Sequence, residues 1–490
     1  MLSRAYGLAS LELRAPLTVD SVFELASMSK QFTAMDVILL ALDGRLSLED
    51  DVRKYVPELP SYPEKITIAN LLHQTSGLKD YNQLLTFSGA HSADILTSDR
   101  ALALIARQDE LNFAPGTAFW YSDTNYFLLA LIVERISNES IQAFSQAHIF
   151  GPLGMTHTGF RVNASAVIVN AASGYRKRED GWYLGSDNSE VLGDSGVFST
   201  LADLAKWDQN FYNKKVGGEA GIRLMLATSK LADGTQNNYS AGLKKRSYHG
   251  FIAVEHAGDA PGFETLMRRF PEEHLGITVL CNSRDFLSVA NITDRLSDLY
   301  LPAGRQSNAA AATKHFDVSA YRSKTGIYWD GKTDLLREIS IQDGQLMQHL
   351  LPDDSPTPLR YVSPNVFTSS GGTIYTFGTG TKTLSRNAPG ESASVLSRVS
   401  DADLVSQDVT PFRGKFFSND VQVDWNFTEK HGHLILHRIG FPDEDLQFMF
   451  RDAYLGDLGL FHFKRSKEGL VTGLEVMNFR LGRVTFLKQR

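Results

Sequence analysis

Apolar residues recur at helical spacing from Lys30 to Leu42, and the run stops at Asp43-Gly44, where glycine can take the left-handed conformation that closes a helix. A helix is expected there, with Ser27 at its start. From about residue 20 to 300 helical patterns alternate with loops rich in Gly, Pro, Ser and Asp, and short strand-like runs follow near the end of this region. That mixture predicts an α/β or α+β domain. The periodicity is lost between Leu301 and Lys314, where Pro302-Ala303-Gly304-Arg305-Gln306-Ser307-Asn308 and four alanines read as a linker, the alanines being able to extend a short helix. Beyond it the period becomes two, as in Val421-Gln422-Val423-Asp424-Trp425-Asn426-Phe427, which predicts antiparallel β structure.

The β region repeats itself. Gly326-Ile327-Tyr328 returns as Gly414-Lys415-Phe416, and Asp343-Gly344-Gln345-Leu346 returns as His431-Gly432-His433-Leu434, with the two glycines 18 positions apart in both copies. Two small barrels are expected, against one larger barrel built from both halves. The resulting division is 1–302 for the first domain, 303–316 for the linker, and 317–400 and 408–490 for the barrels.

At 490 residues, 42% hydrophobic and 21% charged, the chain has an ordinary globular composition and is too long for a single core. A net charge of −7 without a Lys/Arg-rich run argues against a nucleic-acid partner. The longest apolar runs, Val37 to Leu42 and Phe127 to Val133, fall far short of the ~20 residues that span a bilayer, so no membrane span is expected. The single cysteine, Cys281, lies in an apolar stretch and reads as a core thiol. Met1-Leu2-Ser3-Arg4 lacks the charged-then-apolar pattern of a secretory signal.

Chemistry enters with Ser27-Met28-Ser29-Lys30, which places a hydroxyl and an amine at i and i+3 on one helix face. Serine needs a base, and lysine serves as one only if its pKa falls from ~10.4 towards 7–8, about 4 kcal/mol. A helix N-terminus supplies at most ~2 kcal/mol, so burial and a further partner must supply the rest. In isolation the tetrad is weak, since a solvated lysine on a helix face explains it equally well.

Its company is specific. Asp43-Gly44-Arg45-Leu46-Ser47-Leu48-Glu49-Asp50-Asp51-Val52, Ile66 to Leu78 with its His73-Gln74-Thr75-Ser76-Gly77, Tyr121-Ser122-Asp123, and His256-Ala257-Gly258 follow in order. From about Ala5 to Asn282 the chain thereby resembles the β-lactamase-related serine hydrolases: class C β-lactamases, DD-peptidases, D-aminopeptidases and related esterases. The resemblance implies a multidomain α/β + β protein, a β-lactamase/DD-peptidase-like catalytic domain followed by two small antiparallel, lipocalin-like β-barrels, closest in layout to D-aminopeptidase. It implies Ser27 as nucleophile, with Lys30 and Tyr121 sharing its proton as one coupled unit. His256, counted with the catalytic residues, stands where the β-lactamases carry lysine, and a neutral histidine suits substrates without a free carboxylate. Asp123 stands where these enzymes usually carry asparagine; expected beside the substrate, it accepts hydrogen bonds but cannot donate them, and it could attract a substrate ammonium. Gly258 and Asp259 fall at the substrate edge, and the backbone N–H groups of Asp259 and Ser27 would form the oxyanion hole, commonly worth ~3–4 kcal/mol.

Other motifs read as structural. Gly193-Asp194-Ser195-Gly196 matches the nucleophile tetrapeptide of trypsin-like proteases, but that fold is all-β with disulfides; Ser195 is read as part of a loop bordering the cleft, followed by a helix cap at Thr200 and Asp203. His431, His433 and His437 lack a third ligand of fixed spacing, and His73 and His157 fall in structural segments. Family members usually carry a helix and a strand, often ~30 residues, ahead of the segment that begins here at Arg4-Ala5-Tyr6-Gly7. The expectation is a start lacking them, a sheet edge exposed or covered by another segment or chain, and a signal peptide gone with them. Localisation is accordingly cytoplasmic as the sequence stands, and periplasmic or secreted if a signal-bearing segment was lost.

The expected protein is a serine hydrolase acting through an acyl-enzyme on small amide, ester or short-peptide substrates, with no metal or cofactor and with homo-oligomers as possible assemblies. D-aminopeptidase leads, a broad carboxylesterase is the close rival, and a β-lactamase or DD-carboxypeptidase follows. A catalytically silent binding or scaffold homologue is the alternative from another class.

Overall fold

The computed structural model describes residues 2–489 except 92–93, 186, 285–287, 303–316, 353–355, 370–371, 381, 390, 401, 406 and 479. The expected linker, 303–316, lies outside the described residues. Residues 1–78, 91–109 and 113–310 form one compact unit, and residues 79–90, 110–112 and 311–490 form another. Among the described residues no helix is long and apolar enough to cross a membrane.

The first unit is built on an antiparallel sheet of β1 (Lys244–Tyr248), β2 (Phe251–Ala260), β3 (Phe263–Phe270) and β4 (Leu275–Cys281), in that spatial order. The pairing of β1 with β2 ends at Lys244 opposite Glu255, so His256 to Ala260 run on past β1. Against this free edge lies the turn Ala26–Ser29. Gly258 makes the approach possible, because a Cβ there would collide with the carbonyl oxygen of Leu25 and the hydroxyl of Thr265.

The turn continues into α1 (Lys30–Leu42), which ends at Asp43 and Gly44 as its pattern predicts, Gly44 having φ +71°. Every residue of α1 from Lys30 to Ile38 is buried, polar ones included, so this helix runs through the interior and is not an amphipathic surface element. It packs on α2 (Asp123–Ser137), in which every residue from Asp123 to Ala130 is buried.

The second unit contains both predicted β structures. Nine strands run from Gly326–Trp329 to Ser394–Arg398 in a nearly closed sheet, whose two ends, Thr357–Pro358 and Arg360–Ser363, are separated in sequence only by Leu359. Eight antiparallel strands from Gly414–Ser418 to Gly482–Lys488 then form a closed barrel, sealed by pairing of the first strand with the last. The repeated anchors have the same geometry in both. Gly326 and Gly414 each open a first strand with φ of +131° and +117°, and Tyr328 and Phe416 are each fully buried two residues on. Asp343-Gly344 and His431-Gly432 are left-handed pairs closing tight hairpins. Residues 79–90, which the 1–302 division places with the first domain, fold with the barrel: Leu84 and Phe87 of the helix Tyr81–Phe87 join its core, the Phe87 ring 5.7 Å from that of Trp425.

Candidate active site

Ser27 sits in a tight 3-10 turn ahead of α1, preceded by Ala26 in the left-handed region at φ +50°. That conformation disfavours a residue with a Cβ by about 1–2 kcal/mol, so the surroundings must hold it. They do: Leu25 N–H donates to Val197 O at 2.8 Å, and Val197 N–H donates to Ser29 Oγ at 3.0 Å. The serine of the turn is thereby fixed against the strand Val197–Ser199.

Lys30 is wholly buried, and its three ammonium protons have three acceptors. Nζ donates to Asp123 Oδ1 at 2.7 Å, to the Asp194 backbone carbonyl at 2.8 Å and to Ser27 Oγ at 3.1 Å. It also lies 4.9 Å from the centre of the Tyr121 ring. Burial alone would push the lysine pKa down, as the sequence argument requires. The Asp123 carboxylate, with Tyr121 and Asp194 adding to it, outweighs burial, and the pKa is raised instead. The Asp123 side chain is 8% exposed and its carboxylate is engaged with Lys30. Burial raises the Tyr121 pKa, Lys30 opposes this and Asp123 adds to it.

Several supporting groups have roles that emerge only in the fold. Buried Gln74, left-handed at φ +59°, accepts at Oε1 from Ser122 N–H at 2.9 Å and from Asn125 Nδ2, while its carbonyl accepts from Trp120 N–H at 3.0 Å. It brackets Tyr121 on both sides. Ser76 Oγ donates to Asn125 Oδ1 at 2.6 Å. The segment that carries the family resemblance at residues 73–77 is thus the brace for Tyr121. His73, read as structural, has Nδ1 3.1 Å from Tyr239 O, and burial lowers its pKa.

His256 is held between two partners. Nδ1 lies 2.6 Å from Ala257 O, which can only accept, so that nitrogen carries the proton and Nε2 accepts from the Tyr239 hydroxyl at 3.0 Å. Burial, and then the Lys30 charge, push its pKa down to about 3, so it is a neutral imidazole. Both nitrogens are engaged, Nε2 with the Tyr239 hydroxyl. Tyr239 went unnoticed in the sequence; its ring stands edge-on to Tyr121 at 6.0 Å. Asp259 lies at the end of β2 with its carboxylate paired to Arg284 at 2.9 Å, about half exposed.

The protease-like tetrapeptide, read as structural from its sequence, braces the helix that follows the nucleophile. Gly193 O accepts from Thr33 Oγ1 at 2.7 Å and Asp194 O from Lys30, so this loop steadies α1 through its backbone. Thr200 caps the helix Leu201–Asn213 by accepting from Asp203 N–H, and Asp203 in turn accepts from His157 N–H at 2.7 Å. Cys281 is half-buried and its pKa is raised by burial. His433 and His437 pair with Asp445 and Asp443 on the barrel, and His431 lies in a turn. Among the described residues no group of three or more His, Cys, Asp or Glu side chains could hold a metal ion.

A family model described as Beta-lactamase matches residues 1–300. Penicillin-binding protein 4* of Bacillus subtilis is 31% identical over 297 residues, covering 57% of this chain and 65% of that protein. D-aminopeptidase of Cereibacter sphaeroides is 27% identical over 281 residues, covering 57% of this chain and 54% of the relative. This chain thus spans less than two thirds of the length of these curated relatives. Among solved structures, an octameric penicillin-binding protein homologue from Pyrococcus abyssi shares the fold at a TM-score of 0.57 and 21% identity, covering 80% of this chain and 92% of the other.

Proposed function

The chain belongs to the beta-lactamase family, and from that membership we propose that it is a serine hydrolase in which Ser27 forms an acyl-enzyme with small amide or ester substrates. What supports the reading is one observation: Ser27 Oγ, Lys30 Nζ and the Tyr121 ring are gathered in a single array, Lys30 buried and the other two partly exposed, with 3.1 Å between the first two. Ser27 attacks the carbonyl carbon, its proton leaves through the Tyr121–Lys30 pair, the leaving group takes that proton, and water releases the acyl group. The backbone N–H groups of Ser27 and Asp259 are the proposed oxyanion donors, and Gly258 lets that strand edge close on the turn. The scheme draws on no cofactor or metal.

D-amino-acid amides and short D-peptides are the first substrates to test, because D-aminopeptidases stand among the relatives. A second reading, a carboxylesterase, gains from Asp123: the acid that would attract a substrate ammonium is already paired with Lys30. Turnover of a D-alanine anilide, a short-chain nitrophenyl ester and a chromogenic cephalosporin separates the activities. The cephalosporin is expected to be the poorest of the three, since neutral His256 supplies no cation for its carboxylate. Fluorophosphonate labelling of the full chain, absent in Ser27→Ala, tests the class as a whole. A folded wild-type protein that is never labelled is no serine hydrolase. Homo-oligomerisation is also proposed, and light scattering of the purified chain reads it directly.

A further inference from the structure

The closed barrel has an opening in its wall. Its strand β5 (His433–His437) pairs along its whole length with the strand before it, from Lys430 opposite His433 to Asn426 opposite His437. On its other side, among the described residues, β5 meets β6 (Glu444–Phe450) only from Leu436 opposite Glu444 to Leu434 opposite Leu446. There the two strands part. β5 turns back through Gly432, while β6 runs on past Leu446 beside β7 (Ala453–Gly456), with Phe448 opposite Tyr454 and a register shift before Phe450. Such a bulge bends its strand. A pocket of about 470 Å³ occupies the gap, within the range of roughly 300–1,000 Å³ usual for small-molecule sites.

The lining shows that this pocket passes through the sheet. Successive residues of a strand point to opposite faces, so a pocket lying on one face takes alternate residues. This one takes four in a row from β6: Asp445, Leu446, Gln447 and Phe448. Leu446 and Phe448 pack with the barrel core, as does Tyr454, whereas Asp445 and Gln447 are exposed. The inner end is therefore apolar and the outer end polar. The inner wall is already held in place, since Gln407 Nε2 donates to the Tyr454 hydroxyl and Gln407 Oε1 accepts from Asp452 N–H, each at 3.3 Å. At the outer end Asp445 pairs with His433 at 3.0 Å, both more than half exposed, and the lining includes no lysine or arginine.

We propose that this opening is a binding site for a small alkyl or aryl-alkyl amine, its ammonium at Asp445 and its apolar tail against Leu446, Phe448 and Tyr454. The tail leaves water for a lining that cannot hydrogen-bond it, which is favourable for any apolar chain. The head decides the class of ligand. A carboxylate has lone pairs for several donors, so Asp445 can hold His433 and an ammonium together. An anionic head would face the same carboxylate without a lysine or arginine in the lining to offset it. The site lies wholly in the second unit, and its occupation is independent of any reaction at Ser27.

Isothermal titration calorimetry of the full chain with octylamine, octan-1-ol and octanoate tests this, the three sharing one tail and differing in the head. Octylamine is expected to bind tightest, octan-1-ol about three- to fivefold more weakly, the margin of one half-exposed ion pair, and octanoate more weakly still. Asp445→Asn, at an exposed position, is expected to bring octylamine down to the affinity of octan-1-ol while leaving octan-1-ol unchanged. Gln447→Arg places a cation at the mouth and is expected to weaken octylamine and strengthen octanoate. Wild-type protein that binds octan-1-ol or octanoate as tightly as octylamine overturns the proposal without any variant. So does an octylamine advantage that survives Asp445→Asn, which would put the amine elsewhere, and so does the absence of binding by all three up to about 1 mM.

Discussion

The two units bury charge in opposite ways. In the first, a lysine with no solvent exposure sits at the centre of the candidate site, its charge met by one carboxylate and two neutral oxygens. In the second, Asp334 is one buried charge, 3% exposed, and its partners stand nearer the surface: Trp329 Nε1 donates to it at 2.9 Å, Arg483 approaches at 3.2 Å while 41% exposed, and His462 lies at 3.5 Å. In the same unit Trp425, Phe461 and Phe486 help to fill the closed barrel. A cation that meets a nucleophile inside a protein has an active-site arrangement. An anion whose cations reach it from the rim ties two β structures together and lets water share the load.

Removing the cation from each cluster gives the largest separation between them. Lys30→Met leaves Asp123 buried without its partner and is expected to destabilise the first unit by about 3–5 kcal/mol, with loss of labelling at Ser27. Arg483→Met removes a half-exposed partner from Asp334, which keeps Trp329 and His462, and about 1 kcal/mol is expected with labelling unchanged. Urea unfolding of both variants, followed by hydrogen exchange to tell the units apart, measures this. Equal losses would erase the distinction.

Next in size is the response to pH. His256, with its pKa pushed down to about 3, stays neutral in the fold while an unfolded histidine takes a proton below about 6.5, so stability falls as pH drops through that window. Glu24, three residues before the nucleophile, has the opposite sign. Burial foremost, and then Asp187, push its pKa up to about 8; the unfolded chain loses that proton from about 4.5 upwards, and stability falls as pH rises towards 8. Glu24→Gln is therefore expected to gain on wild type between pH 5 and 8, by up to about 4 kcal/mol at the upper end. Asp334 differs again. His462, Trp329 and Arg483 together outweigh burial and hold its pKa below the usual carboxylate value, so its contribution is present above about pH 4 and lost only below. Stability curves for Glu24→Gln and Asp334→Asn against pH should diverge from wild type in these separate windows; a constant offset for either would sink its assignment.

Much of this was legible in the residues, for physical reasons. The helix Lys30–Leu42 and the β repeats are local patterns, fixed by periodicity and by left-handed glycines. Ser27 and Lys30 are three residues apart, so their meeting needs only a turn of helix. The environment of Lys30 was not legible. Asp194 contributes a backbone carbonyl, which has no sequence signature, across 164 positions. The pairing of Asp123 with Lys30 was not legible either, because an aspartate's type says only that it accepts hydrogen bonds and not which group will meet it. Gln74 lay within a quoted segment; its left-handed backbone and its hold on Ser122 and Asn125 emerge only in the fold.

The smallest expected effect belongs to the repeated turns of the second unit, and it asks whether the two copies are alike in energy as well as in geometry. Gly344 and Gly432 have φ of +73° and +82°, and a Cβ added at either would meet nothing within 4 Å. Substitution by alanine therefore probes the left-handed backbone alone, with no packing change to confuse it, and about 1 kcal/mol is expected at each. At Gly258, by contrast, the same methyl group would strike the Leu25 carbonyl and disturb the nucleophile turn. Matching shifts in the unfolding midpoint for Gly344→Ala and Gly432→Ala would mark the second unit as one governed by local geometry repeated twice. A much larger loss at Gly432 would mean that closing the barrel makes its hairpins interdependent, as side chains already are around Lys30.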